Sequence, residues 1–241
     1  MKKLFNKEQE NFIISNYLTM TYGEIAHNLG FTEKQIRGWI NHNCDKKTRT
    51  FNKEYFNEIK TSNQAYWLGF IYADGYIVKR ADSRNYELGI GIQSGDVKLL
   101  EDFNSELGGV HDITYSHNEK YICDSSKISV TDSVTLRVYS KSIVDDLIKN
   151  GIVQNKTNSS IFPIVDDSLF FDFLRGYIDG DGCIYVNQDK ISASQVHITS
   201  AHDKVLNYIK NKLSSYDIKS YIYKEKEKKY RICINHKNAV K

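Results

Sequence analysis

The chain has 241 residues, 40% of them hydrophobic, and a formal net charge of +3. That length accommodates one or two domains with an apolar core, and no apolar run approaches the roughly 20 residues needed to span a bilayer. Four scattered cysteines (Cys44, Cys123, Cys183, Cys233) without a Cys-x-x-Cys pair argue against a zinc site or disulfide frame, and Met1-Lys2-Lys3 opens no export signal, so a reduced, cytoplasmic protein without membrane association is expected.

The positive charge is concentrated at the N-terminus, where residues 1–60 hold 10 Lys and Arg against 7 Asp and Glu. Residues 7–18 are predicted as a first helix with Phe12, Ile13 and Tyr17 inward. Thr21 with Glu24, and Thr32 with Gln35, have the spacing of capping boxes, opening a second helix through Leu29 and a third to about His42, with Gly30 in the turn. Short helices around a Gly-containing turn resemble a helix-turn-helix, so residues 1–48 are read as a small all-α DNA-binding domain. Its third helix would offer Lys34, Arg37, Asn41 and His42 to a major groove, and Arg49 would reach a minor groove. A three-helix packing module without DNA contact is the alternative. The polar, charged residues 49–60 are read as a linker.

Two segments then repeat at a fixed interval: Trp67-Leu68-Gly69-Phe70-Ile71-Tyr72-Ala73-Asp74-Gly75 and Leu174-Arg175-Gly176-Tyr177-Ile178-Asp179-Gly180-Asp181-Gly182, offset by 107 residues. Each is an apolar helix with two small residues four apart, Gly69 and Ala73 or Gly176 and Gly180, so the two helices can approach closely along these faces. The glycine after each aspartate is expected to stop its helix in a left-handed conformation. Asp74 and Asp181 are thereby expected at the C-terminal ends of two abutting helices, where the helix dipoles and each other's charge disfavour ionisation. A divalent cation reverses that penalty, and oxygen ligands suit Mg2+ or Ca2+.

These motifs resemble the LAGLIDADG homing endonucleases in their form with two motifs in one chain. The second copy matches the signature closely. The first departs from it at Trp67 and Tyr72. The resemblance implies tandem αββαββα repeats, residues 61–160 and 161–241, related by a pseudo-twofold axis and carrying saddle-shaped antiparallel sheets, an α+β fold. It implies a monomer with an internal pseudo-dimer that cleaves double-stranded DNA with Mg2+. Asp74 and Asp181 are then the catalytic metal ligands, with Ala73 and Gly180 before them completing the metal sites. Gln93 and Ser200 match the position that orders water, and Lys156 matches a lysine that polarises the attacking water. A regulator that binds DNA without cutting it, and an RNA maturase, are the competing readings.

Within the repeats, residues 76–79, 86–92, 183–186 and 196–199 are read as strands, and 96–107 and 203–213 as helices, with Asp96 and Asp203 keeping the 107-residue offset. Arg231-Ile232-Cys233-Ile234 is aligned with Arg137-Val138-Tyr139-Ser140. A counterpart of the helix at 143–150 is missing or only begun at Asn238, so the second half is expected to be short and to leave Ile232 or Ile234 uncovered.

Overall fold

The computed structural model describes residues 4–18, 20–44, 51–79, 86–121, 128–156, 159–190, 193–227 and 229–235. The chain divides into two compact units at Thr50 and Phe51.

The first unit contains α1 (Lys7–Asn16), α2 (Tyr22–Leu29) and α3 (Glu33–Asn43) around a small core of Phe5, Ile13, Ile25, Ala26, Ile36 and Ile40. Both expected capping boxes form, with the Thr21 and Thr32 hydroxyls accepting from the Glu24 and Gln35 backbone amides. Gly30 ends α2 at φ 69°, a left-handed turn open to glycine. The first helix stops at Asn16, two residues before the expected end, with the Tyr17 amide making the last bond back to the Ile13 carbonyl. Residues 45–50, including Arg49, lie outside the described residues.

The larger unit is built on α4 (Ser62–Asp74) and α7 (Phe170–Asp181), which pack side by side. Their contact has internal twofold logic. A Cβ on Gly69 would collide with the Phe173 carbonyl, and a Cβ on Gly176 with the Tyr66 carbonyl, the same pair of positions with the halves exchanged. A Cβ on Gly180 would run into Ala73. The tight face expected from the small residues is therefore real, and only backbone is left between the helices. Beside it, the Tyr66 hydroxyl donates to Asp179 at 2.9 Å and the Arg175 guanidinium lies 4.8 Å from the Tyr66 ring centre.

Each helix runs into a strand with no intervening loop: α4 into β1 (Gly75–Lys79) and α7 into β5 (Gly182–Tyr185). Here the expectation of left-handed glycines fails. Gly75 has φ −77° and Gly182 φ −94°, both available to any residue. Glycine is required for room, since a Cβ would approach the Ile71 carbonyl to 2.7 Å and the Ile178 carbonyl to 2.5 Å.

In the first half β1, β2 (Tyr86–Gln93), β3 (Ile113–Tyr121) and β4 (Ile128–Tyr139) form an antiparallel sheet in the order β1-β2-β4-β3. The second half repeats it with β5, β6 (Gln195–Ser200), β7 (Ser220–Lys226) and β8 (Lys229–Asn235) in the order β5-β6-β8-β7. One face of each sheet is apolar (Leu88, Ile90, Val134, Leu136 and Val138; Ile198, Ile232 and Ile234) and joins the common core. In the first half α5 (Val97–Leu107) and α6 (Lys141–Lys149) complete that core, and in the second α8 (Asp203–Ser215) does so. No helix among the described residues is long and apolar enough to cross a membrane.

The repeat register drifts away from the motifs. Gly75 pairs with Ile90 but Gly182 with Ile198, so the second strand of each half is offset by 108. The buried faces of α5 (Leu100, Phe103, Leu107) and α8 (Leu206, Ile209, Leu213) match at 106. The Asp96–Asp203 correspondence is thus coincidental: buried side chains, not surface aspartates, keep the register. The same pairing sets Ile232 opposite Ile198 as Leu136 is opposite Ile90, two positions from the alignment of Arg231 with Arg137.

Two expectations need correction. Ile232 and Ile234 are buried, because α7, α8 and Ile218 cover that end of the sheet. Asn238 lies outside the described residues. Residues 51–60 are not a linker: Phe56 is fully buried, Tyr55 stacks edge-on against it, and Gln64 Nε2 donates to the Tyr55 carbonyl at 2.7 Å. Apolar residues interleaved with charged ones concealed this attachment in the sequence.

Two substitutions test this architecture. Phe56→Ala is expected to cost about 3–5 kcal/mol, as for a core phenylalanine, where a linker position would tolerate it; unchanged denaturant stability would remove Phe56 from the core. Gly176→Ala is expected to cost about 1–3 kcal/mol through overpacking against Tyr66, read as an earlier unfolding transition of the larger unit.

Candidate active site

The loopless helix-to-strand junctions put Asp74 and Asp181 at the last positions of α4 and α7, each directly before the first strand of its sheet. Both carboxyls are held above the usual aspartate range, principally by desolvation; the charge of Asp74 adds to this at Asp181, and the Lys156 ammonium opposes it at both. The expected electrostatic conflict is present, and desolvation outweighs it.

The two carboxylates open into different clefts. Asp74 lines an open cleft of about 990 Å³ with Gly180, Asp179 and Gln93, floored by Gly91, Ser133 and Thr135 of β2 and β4. Asp181 lines a smaller one of about 300 Å³ with Ala73, Lys156, Tyr72, Tyr177 and Ser200. Each aspartate is thus accompanied by the residue preceding the other: Gly180 beside Asp74, Ala73 beside Asp181. A Cβ on Gly180 would sit 3.2 Å from Asp74 Oδ2, so glycine keeps that carboxylate accessible.

Lys156 reaches across to the end of α4. Its Nζ donates to the carbonyls of Ile71 (2.9 Å), Ala73 (2.5 Å) and Gly75 (2.6 Å). These are acceptors at a helix C-terminus, where a cation is favoured. Burial nevertheless lowers its pKa to about 8, against the pull of Asp181 and then Asp74. The sequence places Lys156 with the first half and Asp74; the structure sets it in the cleft of Asp181, where its ammonium also occupies the Ala73 carbonyl.

Gln93 stands at the end of β2 on the face away from the core, in the Asp74 cleft. Ser200 does not repeat it. The 108-residue offset aligns Gln93 with Ala201, and strand alternation turns Ser200 to the same side as buried Ile198. A one-residue insertion before β6 is the cause, and the motif spacing alone could not reveal it. Tyr72 and Tyr177 were not foreseen in the Asp181 cleft; Tyr72 donates to the Ile161 carbonyl at 3.2 Å.

The residues fit a hard divalent cation in a particular way. Among the described residues no three His, Cys, Asp or Glu side chains cluster into a metal cage. What the site offers is one carboxylate per cleft beside helix-end carbonyls, an incomplete oxygen set of the sort that leaves coordination positions for water and a phosphate.

On the first unit, Lys34, Arg37 and Asn41 are exposed along one face of α3, with exposed His42 beside them. Arg37 is already engaged, 2.6 Å from Glu33 and over the Tyr22 ring. Gly38, in the middle of that face, has open space where a Cβ would be.

Residues 170–241 match the family model of the LAGLIDADG-like domain. No curated protein matches the chain. The fold is similar to that of the homing endonuclease I-WcaI bound to its DNA recognition sequence, at 14% identity over 81% of this chain and 84% of that one, with a TM-score of 0.52. Mesophilic variants of the homing endonuclease I-DmoI align at 18% identity over 78% and 88% of the two chains, TM-score 0.48. I-DmoI in complex with DNA and Ca aligns at 17% identity over 78% and 87%, TM-score 0.47. Residues 170–241 thus match a LAGLIDADG-like domain, and the fold of the larger unit is similar to that of the homing endonuclease I-WcaI.

Proposed function

We propose that this protein is a site-specific endonuclease of double-stranded DNA that uses Mg2+, with one strand cut at each of the two clefts. The observation that carries the reading is the pair of carboxylates, Asp74 and Asp181, held at abutting helix ends against desolvation and, for Asp181, against the charge of Asp74 as well. A structural role gives no return for that arrangement, whereas a cation-dependent one does. Retention of both also weighs against a regulator that binds without cutting.

A divalent cation held at these carboxylates would supply charge stabilisation for phosphodiester hydrolysis and a more acidic water. The chain's own groups divide the remaining work. Asp74 with Gly180, and Asp181 with Ala73, would hold the metal, the Ala73 carbonyl sharing itself with Lys156. Gln93 orients water in the first cleft. Lys156 lines the second cleft, and its ammonium would polarise water there by giving up one of its contacts to the Ile71, Ala73 and Gly75 carbonyls. The sheet faces turned away from the core carry the duplex, and α3 of the first unit adds contacts through Lys34, Arg37, Asn41 and His42, with Arg49 beyond it. Gly38 supports this last part: a glycine in an exposed helix interior costs about 1 kcal/mol relative to alanine, a cost accounted for if a duplex backs closely onto it.

Asp74→Asn and Asp181→Asn are each expected to abolish double-strand cleavage in Mg2+ while leaving specific binding intact, because the side-chain shape is kept and the charge is lost. Either variant linearising target plasmid at the normal rate would sink the assignment.

The clefts are chemically unequal, since Gln93 serves one and Lys156 the other. Strand cleavage is therefore expected to be unequal too, with a nicked species preceding linear product in a time course on supercoiled plasmid. Linear product without a nicked precursor would contradict the division of roles.

For the first unit, Lys34→Ala with Arg37→Ala is expected to reduce the slope of log affinity against log salt by about 2, as two phosphate contacts are lost. An unchanged slope would favour the packing-module alternative.

A further inference from the structure

Each sheet displays one arginine that is anchored to a glutamate on its solvent face. In the first, Arg137 stands on β4 between buried Leu136 and Val138, so it projects away from the core. Its Nε lies 3.3 Å from Glu87 Oε1 on β2. The same oxygen accepts from the Tyr76 hydroxyl at 2.9 Å. Tyr76 lies across Gly89, where any Cβ would collide with its ring, so the glycine makes the seat for the tyrosine. Glu87 is thereby held from two sides.

In the second sheet, Arg231 precedes buried Ile232 on β8 and projects to the same outer face. Its Nη2 lies 2.5 Å from Glu225 Oε1, while Lys229 holds Oε2 at 2.9 Å. Both arginines remain accessible, with 42% and 37% of their side chains exposed.

Half-exposed ion pairs of this kind contribute little to stability, and immobilising an arginine costs side-chain entropy. Immobilisation in advance does benefit recognition, because the ordering cost is met before the ligand arrives. A planar guanidinium of fixed orientation on a face offered to a major groove matches the O6 and N7 acceptors of guanine.

We propose that Arg137 and Arg231 each read a guanine, one in each half of the target, and that Glu87 and Glu225 are positioning residues for them. This rests on the DNA-cleavage reading above. The register also fixes their relative placement. On β4 and β8 the lower-numbered residues lie nearer the clefts, since Ser133 pairs with Gln93 and Tyr230 with Ser200. Leu136 corresponds to Ile232, so Arg137 is the residue beyond that position and Arg231 the residue before it. The two-residue difference amounts to about 6.6 Å along a strand, close to two steps of roughly 3.4 Å in B-DNA. The guanine read by Arg137 therefore lies about two base pairs farther from the cleavage centre than the one read by Arg231.

The test is selection of bound duplexes from a randomised library in EDTA-containing buffer, using the full chain and its Arg137→Ala, Arg231→Ala, Arg137→Lys and Glu87→Ala variants. The wild type is expected to select two guanines at unequal distances from the centre. Arg137→Ala should erase the roughly ten- to hundredfold preference at the outer one alone, and Arg231→Ala at the inner one alone. Arg137→Lys keeps the charge but not the fork, so it should keep affinity and still lose the outer preference. Glu87→Ala should weaken that same preference without changing the others. Selections unchanged by Arg137→Ala, or affinity lowered equally for all sequences as for a phosphate contact, would overturn the proposal. A wild-type protein that enriches no sequence would overturn the DNA reading and this proposal with it.

Discussion

The larger unit depends on one steric condition: α4 and α7 must approach until only backbone separates them. Gly69 against the Phe173 carbonyl and Gly176 against the Tyr66 carbonyl meet that condition reciprocally. Everything attached to the two helices inherits the resulting geometry. The carboxylates at their ends come together, the strands that follow diverge into two sheets, and the core fills the space between. Dispersion contacts across so close an interface are individually small and collectively large, while the ionised aspartates act against them. The balance is set by packing, which leaves the electrostatic tension available for a cation.

Around this fixed centre the two halves have diverged by small insertions. The offset of 107 holds through the first helices and their junctions, becomes 108 in the second strand and 106 in the second helix of the repeat. A one-residue change in a strand would normally reverse which side chains face the core. It does not do so here because the insertion falls between β5 and β6, and β6 as a whole is displaced. The price is local: Ser200 turns inward where Gln93 turns outward, and in the second cleft it stands beside Lys156, Tyr72 and Tyr177.

Much of this was legible in the residues. The helix pair, its small-residue face and the two aspartates follow from repetition at a fixed interval, which is a strong signal because chance does not keep register. The capping boxes at Thr21 and Thr32 were equally plain, since each capping side chain and the backbone amide that donates to it are three residues apart. Contacts that join distant segments were not. Phe56 was hidden in a charged stretch, and the path of Lys156 to the Ala73 carbonyl, 83 residues away, cannot be inferred from the composition around it. The cleft to which each polar residue belongs is decided by strand alternation after insertions, which a pattern of spacings does not record.

The absence of any loop between α4 and β1, or between α7 and β5, has a mechanical consequence. A helix that becomes a strand at a single peptide bond behaves as one stiff lever, with the sheet as its long arm and the carboxylate at its fulcrum. Whatever rotates a sheet rotates the aspartate at its root. On the reading of the sheets as a DNA cradle, a duplex that is too wide or too rigid to fit the saddle would move Asp74 and Asp181 out of alignment even if every base contact were made. Duplex shape and deformability would then be sensed at the site of chemistry itself, by backbone continuity alone.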